Sequence, residues 1–296
     1  MACGVYLKKL QADLQGHLCF GGGVFFMSER NKELIRGLHR KDLTKIKFAS
    51  ALLDMAIEEK EDDLEYALQQ AKEVQRIAAR QSRKENSLAF MNLYWKATLM
   101  LAPYFFEDFL YYMEKDRKPE KRFYMPRRRT LKVVVDDLQK LEDGKLDFYE
   151  LSMPPRVGKS TICIFFMAWV MGKRPNSHNA MSGHSGILAD GFYGEALNLM
   201  ELDVPEEKRQ YHFLDIFPQT FLQKKSAEKK EVTLNDPDRF ATLTCRGIDG
   251  TWTGAVDISW DGYLYVDDLQ MIFFRISIRK EYRIISPNHF LLANFF

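Results

Sequence analysis

The sequence has few cysteines and no long apolar run. Its 296 residues include four cysteines, which are scattered without the spacing of a metal site. This scarcity excludes a disulfide-stapled scaffold and favours a reduced, intracellular setting. No apolar stretch has the length of a membrane span, and the N-terminus lacks the basic start and apolar core of a signal peptide. The formal net charge is only +2, so composition argues neither for nor against a nucleic-acid partner.

A loop containing glycine, lysine and serine is the strongest motif in the chain. Residues 153–161 read Met-Pro-Pro-Arg-Val-Gly-Lys-Ser-Thr. The alternating stretch 146–152 before them predicts a strand, and the apolar stretch 162–171 after them predicts a buried helix. A strand, a tight loop and a helix form the context in which Gly-Lys-Ser binds phosphate. Met153 departs from the usual pattern, which has glycine there, so an ordinary surface turn before a helix remains the alternative.

The residue types in this loop predict a nucleotide site for ATP and Mg²⁺. Gly158 lets the backbone approach phosphate closely, and the start of the helix points N–H groups at it. Lys159 is expected to reach the β- and γ-phosphates, while the Ser160 hydroxyl completes the Mg²⁺ shell. The rest of the predicted nucleotide-binding loop consists of Pro155, Arg156, Val157 and Thr161.

Two carboxylates follow an apolar strand predicted at residues 262–266. Asp267 and Asp268 stand directly after this strand. A nucleotidase holds magnesium beside its phosphate loop with acids at the C-terminal end of such a strand. We therefore expect Asp267 to bind the Mg²⁺ shell and Asp268 to orient the attacking water as a general base. A strand followed by an acidic turn is the alternative, but the upstream loop favours an ATPase.

The chain before the loop is first helical and then aromatic. Apolar spacing predicts amphipathic helices within residues 31–84, and the basic cluster at 76–84 is interpreted as a solvated helix face rather than a DNA contact. Aromatic side chains recur at helical spacing in residues 88–118, which predicts that most of them belong to the hydrophobic core. Residues 117–129 are basic and enclose Phe123-Tyr124-Met125-Pro126, a pattern that suits stacking on adenine. The alternative is a solvated linker before a helix at 131–141.

Together these motifs resemble the large terminase subunit of tailed bacteriophages, the motor ATPase that packages DNA into a procapsid. The resemblance is carried by residues 122–128 and 153–160, by Thr253-Gly254, and by Tyr265-Val266-Asp267-Asp268. It extends over residues 88–270 of the chain. The Pro-Pro-Arg-x-Gly-Lys-Ser form is fairly specific, because it keeps the departure from the usual first glycine.

The resemblance implies an α/β fold, the P-loop NTPase three-layer sandwich with a mainly parallel sheet, preceded by a helical N-terminal region. It also implies that Arg156 lies beside the phosphates and that Tyr124 and Arg128 meet the adenine. An arginine from a neighbouring subunit completes such sites, and Arg246 is the candidate. The implied partners are double-stranded DNA, the portal ring and the small terminase subunit. A homo-oligomeric ring is one arrangement of such a motor, and no membrane partner is expected. The implied setting is the cytoplasm of a bacterial host that carries a prophage.

Two departures from the family pattern shape the remaining expectations. Asp268 stands where the family usually has the catalytic glutamate. The expected catalytic residues are therefore Asp268 in that role, together with Lys159 and Arg156 of the loop. Nothing after Leu269 resembles the coupling motif or the nuclease, so we expect the ATPase part alone, without DNA cleavage and without one central sheet strand.

The expected organisation is a poorly ordered extension at 1–26, a helical region at 27–116, an ATPase domain at 117–270 and an atypical tail at 271–296. Met27 is an alternative start of translation. A helicase-like P-loop ATPase and a non-catalytic truncated remnant are the alternatives to a packaging motor.

Overall fold

The computed structural model describes residues 46–236 and 239–267, together with the backbone of a strand at Met271–Arg275. The chain divides into two compact units, Met1–Tyr94 and Trp95–Phe296. The extension predicted at 1–26 and the catalytic carboxylate predicted at Asp268 lie outside the described residues. The domain boundaries expected from the sequence remain predictions, and the one at residue 117 falls inside the second unit.

The first unit is described as a pair of helices. Helix α1 (Ile46–Glu58) and helix α2 (Leu64–Glu85) pack against each other through their apolar faces, which confirms the helices predicted for this part of the chain. The Asp63 carboxylate caps α2 by accepting the Tyr66 N–H at 3.0 Å. Helix α3 (Leu88–Leu101) contains the division between the units.

The helices of the second unit surround one buried helix. They are α4 (Phe106–Met113), α5 (Tyr124–Glu142), α6 (Lys159–Lys173), α7 (Gly186–Met200) and the short α8 (Phe213–Ile216). Every residue of α6 from Ile162 to Gly172 is buried, as its apolar sequence predicts. Helices α4, α5 and α7 all contact it. In the described part of the chain, no helix has the length and apolarity that a membrane span requires.

The strands form one mixed sheet. They are β1 (Phe148–Leu151), β2 (Asn179–Gly183), β3 (Leu222–Ser226), β4 (Glu231–Leu234), β5 (Leu243–Gly247), β6 (Tyr263–Val266) and β7 (Met271–Arg275). Among the described residues their order is β1-β7-β6-β2-β5-β4-β3. In the part of the chain that the structure describes, only β6, β2 and β5 are joined by parallel pairing, so the sheet is mixed and not mainly parallel as expected. The other pairings are antiparallel, because β3 and β4 form a hairpin beside β5 and because β7 runs against both of its neighbours.

Strand β7 lies between the two strands that precede the predicted site residues. It pairs antiparallel with β1 on one side and with β6 on the other, so β1 and β6 run in the same direction. The expectation that a central strand would be missing after Leu269 is therefore wrong. Main-chain hydrogen bonds require no particular side chains, which explains how an atypical segment takes this position.

A buried ionic network ties the end of α5 to the end of α6 and to the sheet. The Glu142 carboxylate accepts hydrogen bonds from Lys173 at 2.6 Å, from both terminal nitrogens of Arg174 at 2.6 and 2.9 Å, and from the Tyr263 hydroxyl at 2.8 Å. Burial by itself would raise the pKa of Glu142, but the Arg174 hydrogen bond and the Lys173 charge outweigh it and lower the pKa to about 2.

We expect Glu142→Gln to lower the free energy of unfolding by about 3 kcal/mol at neutral pH, because it removes the buried negative charge that pairs with the half-buried Lys173 and Arg174. Since the folded-state pKa lies below the ordinary value of 4.5, the contribution of Glu142 is fully present above that value. It is lost as the pH falls from about 4.5 to about 2. Urea unfolding of both proteins at pH 7 and pH 3 measures this, and an equal difference at both pH values would contradict it.

Candidate functional site

The predicted phosphate loop connects β1 to α6 and has a strained backbone. Arg156 has φ of 65° and Gly158 has φ of 99°, both in the left-handed region. Glycine takes this conformation without steric cost, whereas a non-glycine residue such as Arg156 pays about 1 kcal/mol. Helix α6 starts at Lys159, and the Gly158 carbonyl accepts its first hydrogen bond from Ile162 N–H at 3.0 Å. The first turn of α6 therefore begins at the residues that the sequence predicted to bind phosphate.

The structure brings Ser160 and Asp267 together across a sequence separation of 107 residues. The Ser160 hydroxyl donates a hydrogen bond to Asp267 Oδ2 at 2.7 Å. Asp267 is 3% exposed and follows β6 directly, and its N–H donates to the Ser182 carbonyl on β2 at 2.8 Å. The carboxylate is thus fixed to the centre of the sheet, at the same end as the loop after β1.

This pair of oxygens fits a Mg²⁺ ion that is also held by phosphate. Magnesium prefers hard oxygen ligands, and in nucleotide sites it uses one or two protein oxygens together with phosphates and waters. The described residues contain no group of three His, Cys, Asp or Glu side chains that could hold a metal ion by themselves. A hydroxyl and a carboxylate 2.7 Å apart are the donor set that such a shared site requires.

Phe123 and Arg127 lie against the phosphate loop. A Cβ built on Gly158 would come within 2.6 Å of Phe123 Cε2 and 3.6 Å of Arg127 Cδ. The Phe123 ring stacks on Phe165 of α6, with centroids 5.5 Å apart and planes within 10°. The Arg127 guanidinium lies 5.3 Å from the centroid of the Phe123 ring, and its Nη1 donates to the Phe123 carbonyl at 3.1 Å. An aromatic ring and a guanidinium therefore lie beside the loop. They belong to Phe123 and Arg127, each one residue before the Tyr124 and Arg128 that the sequence analysis named.

Tyr124 and Arg128, the residues expected to meet adenine, are directed elsewhere. Tyr124 is fully buried, its ring contacts Tyr111, and its hydroxyl donates to Glu107 at 2.8 Å. Burial raises the pKa of Tyr124 well above its usual range, and Glu107 adds to the rise. Arg128 Nε donates to the same carboxylate at 2.9 Å. The assignment of these two residues to adenine stays a prediction, and in this structure Glu107 engages both side chains while the Tyr124 ring is buried.

The start of α5 explains this shift by one residue. The buried Glu114 carboxylate accepts the N–H groups of Phe123 at 2.8 Å and of Tyr124 at 3.0 Å, so it caps the helix. Arg117 donates to Glu114 at 3.2 Å and also to the Tyr211 hydroxyl. Residues 124–129 of the basic stretch therefore form the first turns of α5, whereas residues 117–123 precede the helix. The sequence analysis did not identify Glu114, because its only local signal is its acidic side chain a few residues before a helix.

Of the remaining predicted residues, Arg246 and Gly254 lie outside the phosphate loop and the others lie within it. Arg246 on β5 donates to Glu231 of β4 at 3.1 Å, so a neighbour within the sheet engages its guanidinium. Gly254, with φ of 71°, lies in the long loop between β5 and β6. Pro155 and Arg156 are exposed in the phosphate loop, while Val157, Lys159 and Thr161 are half-buried.

Comparison with protein-family models, with curated proteins and with solved structures gave no match. The interpretation of the site therefore depends on the chain's own geometry. That geometry combines a left-handed glycine before a helix, a lysine at the first position of the helix, and a serine hydroxyl joined to a carboxylate at the end of β6, which runs in the same direction as β1 on the other side of β7.

Proposed function

We propose that this chain binds Mg-ATP at the loop between β1 and α6 and hydrolyses it as the motor ATPase of a viral DNA-packaging machine. The observation that supports nucleotide binding best is the 2.7 Å hydrogen bond between Ser160 and Asp267. An ordinary surface turn before a helix gives no reason for its serine to meet a buried carboxylate from a distant strand. A nucleotidase requires this meeting, because the two oxygens share one magnesium ion.

The proposed mechanism is an in-line attack of water on the γ-phosphate. The loop backbone and the start of α6 hold the phosphates through N–H groups, and Lys159 places a positive charge beside the oxygens on which charge develops. Ser160 and Asp267 would hold Mg²⁺, which would supply positive charge to neutralise the phosphates. Arg156, exposed in the same loop, would supply a second cation. The role of Asp268 in orienting the water stays part of the proposal.

On the base side of the site, the proposal replaces Tyr124 and Arg128 with Phe123 and Arg127. The stacked ring of Phe123 and the guanidinium above it border Gly158, and a planar cation over a ring is a favourable neighbour for an adenine. The exposed guanidinium of Arg127 also extends toward solvent from the first turns of α5, where a nucleotide would approach.

We expect Arg127→Gln to weaken ADP binding by about fivefold to tenfold, because a stacked cation contributes about 1 kcal/mol or somewhat more. The matched control is Arg128→Gln, one residue further along the same helix, which is expected to leave ADP affinity within about twofold. Fluorescence titration with a labelled ADP measures both. An effect confined to Arg128→Gln would restore the original assignment of the base side.

The packaging role derives from the resemblance alone, and the deciding measurement is steady-state ATP hydrolysis by this chain with and without double-stranded DNA. DNA-stimulated turnover supports the packaging motor. Turnover that DNA leaves unchanged supports a P-loop ATPase of another kind. ATP binding without turnover supports the non-catalytic alternative, and the absence of Mg-ATP binding removes the proposal as a whole.

A further inference from the structure

Tyr211 lies between α7 and α8, and main-chain hydrogen bonds hold it on both sides. Its own N–H donates to the Glu201 carboxylate at 2.9 Å. The N–H of the next residue, His212, donates to the Met113 carbonyl at 3.3 Å. The backbone of Tyr211 is therefore held without any contribution from the phenol hydroxyl, which is left to act on its neighbours.

The side chain of Tyr211 meets both supports of the Phe123 ring. The Tyr211 ring packs edge-on against Phe165, on which Phe123 stacks, with centroids 6.1 Å apart and planes at 72°. The Tyr211 hydroxyl accepts a hydrogen bond from Arg117 Nη1. The same nitrogen donates to Glu114 at 3.2 Å, and Glu114 accepts the Phe123 N–H at 2.8 Å. The contacts thus run in a closed cycle, from Phe123 to Phe165, Tyr211, Arg117, Glu114 and back to Phe123.

Arg117 is a largely buried cation within this cycle. Its side chain is 15% exposed, and its Nε is buried without a hydrogen-bond partner among the described residues. A buried cation is stable only when its charge is paired and its N–H groups are bonded. Besides accepting from Nη1, Tyr211 places its ring centroid 4.3 Å from the guanidinium carbon. Tyr211 therefore holds the guanidinium in the orientation in which it meets Glu114.

The cycle reaches the phosphate loop through Phe123. A Cβ built on Gly158 would come within 2.6 Å of Phe123 Cε2, so the ring lies directly against the loop. A binding group keeps its geometry when the residues behind it lock its rotamer and its main chain. Stacking on Phe165 locks the ring, and the Glu114 cap locks the main chain. A change at Tyr211 acts on both of these supports, whereas the N–H groups of the loop keep their places between β1 and α6.

We propose that Tyr211 is a positioning residue whose hydroxyl, through Arg117 and Glu114, holds the Phe123 ring in place for the base of the nucleotide. This inference rests on the proposed function, because it concerns the base side of the same site. It divides the site into two parts. Tyr211 acts on recognition of the base, and the loop between β1 and α6 binds the phosphates.

The test compares Tyr211→Phe with Tyr112→Phe. Tyr112 is a buried tyrosine of α4 whose hydroxyl accepts a hydrogen bond from Lys115 at 2.8 Å, so its replacement removes a hydroxyl outside the cycle. Each protein is titrated by calorimetry with ADP and with pyrophosphate, both in the presence of MgCl₂. Pyrophosphate is the matched probe, because it offers two linked phosphates without a base. Thermal unfolding is recorded for the parent and both variants.

We expect Tyr211→Phe to weaken ADP binding by about fivefold, the factor that one lost hydrogen bond supplies, and to leave pyrophosphate affinity within about twofold of the parent. Tyr112→Phe is expected to leave both affinities unchanged. If Tyr211→Phe weakens both ligands equally, the hydroxyl is only structural and the inference fails alone. It also fails alone if that variant binds both ligands as the parent does. If the parent binds neither ADP nor pyrophosphate, the inference and the proposed function fail together.

Discussion

Replacing Lys159 with alanine is expected to weaken Mg-ATP binding by about 100-fold or more. Lys159 is the first residue of α6 and stands between the left-handed Gly158 and Ser160, whose hydroxyl bonds to Asp267. A hydrogen bond to a charged group contributes about 1.5–3 kcal/mol, and the ammonium group is expected to make two of them to the β- and γ-phosphates. Each 1.4 kcal/mol corresponds to about tenfold in affinity. Calorimetric titration of ATP with MgCl₂ measures the change.

The matched control for this variant is Lys145→Ala, which removes a lysine from the turn before β1, at the other end of that strand. Lys145 is exposed and pairs with Asp143 at 2.8 Å. Its removal is expected to leave ATP affinity unchanged, since an exposed ion pair contributes about 1 kcal/mol or less to stability and lies far from the loop. Equal ATP affinity of the Lys159 variant and the parent would exclude the loop as the phosphate site.

A proline at Phe273 is expected to disrupt the second unit, lowering its free energy of unfolding by about 3 kcal/mol or more. Phe273 is the middle residue of β7 and pairs with Tyr149 of β1 and with Tyr265 of β6. Proline has no N–H to donate and is tolerated in sheets almost only at edges and bulges. The expected signs are a loss of soluble protein and a lower midpoint in urea, followed by circular dichroism.

Gln223→Pro provides the control for this change. Residue 223 falls at the register shift between Leu222 and Lys224, on the edge strand β3. Proline is compatible with an edge strand and with a bulge, so we expect the midpoint to stay close to that of the parent. If both proline variants behave like the parent, β7 does not join β1 to β6 in solution.

The sequence predicted the loop, the helices and the strand ends that build the site, because each of these has a local signal. Periodicity revealed α1, α2 and α6, and the Gly-Lys-Ser motif lay between a strand and a helix as expected. The hairpin of β3 and β4 was missed because β3 and the turn after it carry four lysines, and because the pairing of β4 with β5 is decided by the rest of the sheet. The position of β7 was missed because its pairing with β1 and β6 likewise has no local signal.

The base side of the site shows a second limit. The aromatic and basic residues at 122–128 mark the right segment, but the pattern alone cannot say which ring faces the loop. That choice is made by Glu114, which caps the helix, and by Glu107, which engages Tyr124 and Arg128. Both acids precede the segment in the sequence and meet it only in the folded chain, so no local pattern identifies them.

The pairing of β1 with β7 has a consequence for synthesis. Strand β1 lies at the end of the sheet and has β7 as its neighbour, with Phe148 opposite Phe274. During translation, the strand that leads into the phosphate loop therefore has no partner until residue 275 has left the ribosome. The apolar α6 that follows ends 102 residues before Arg275, so the side that faces the sheet stays incompletely covered, and open to aggregation and to chaperones, while those residues are made.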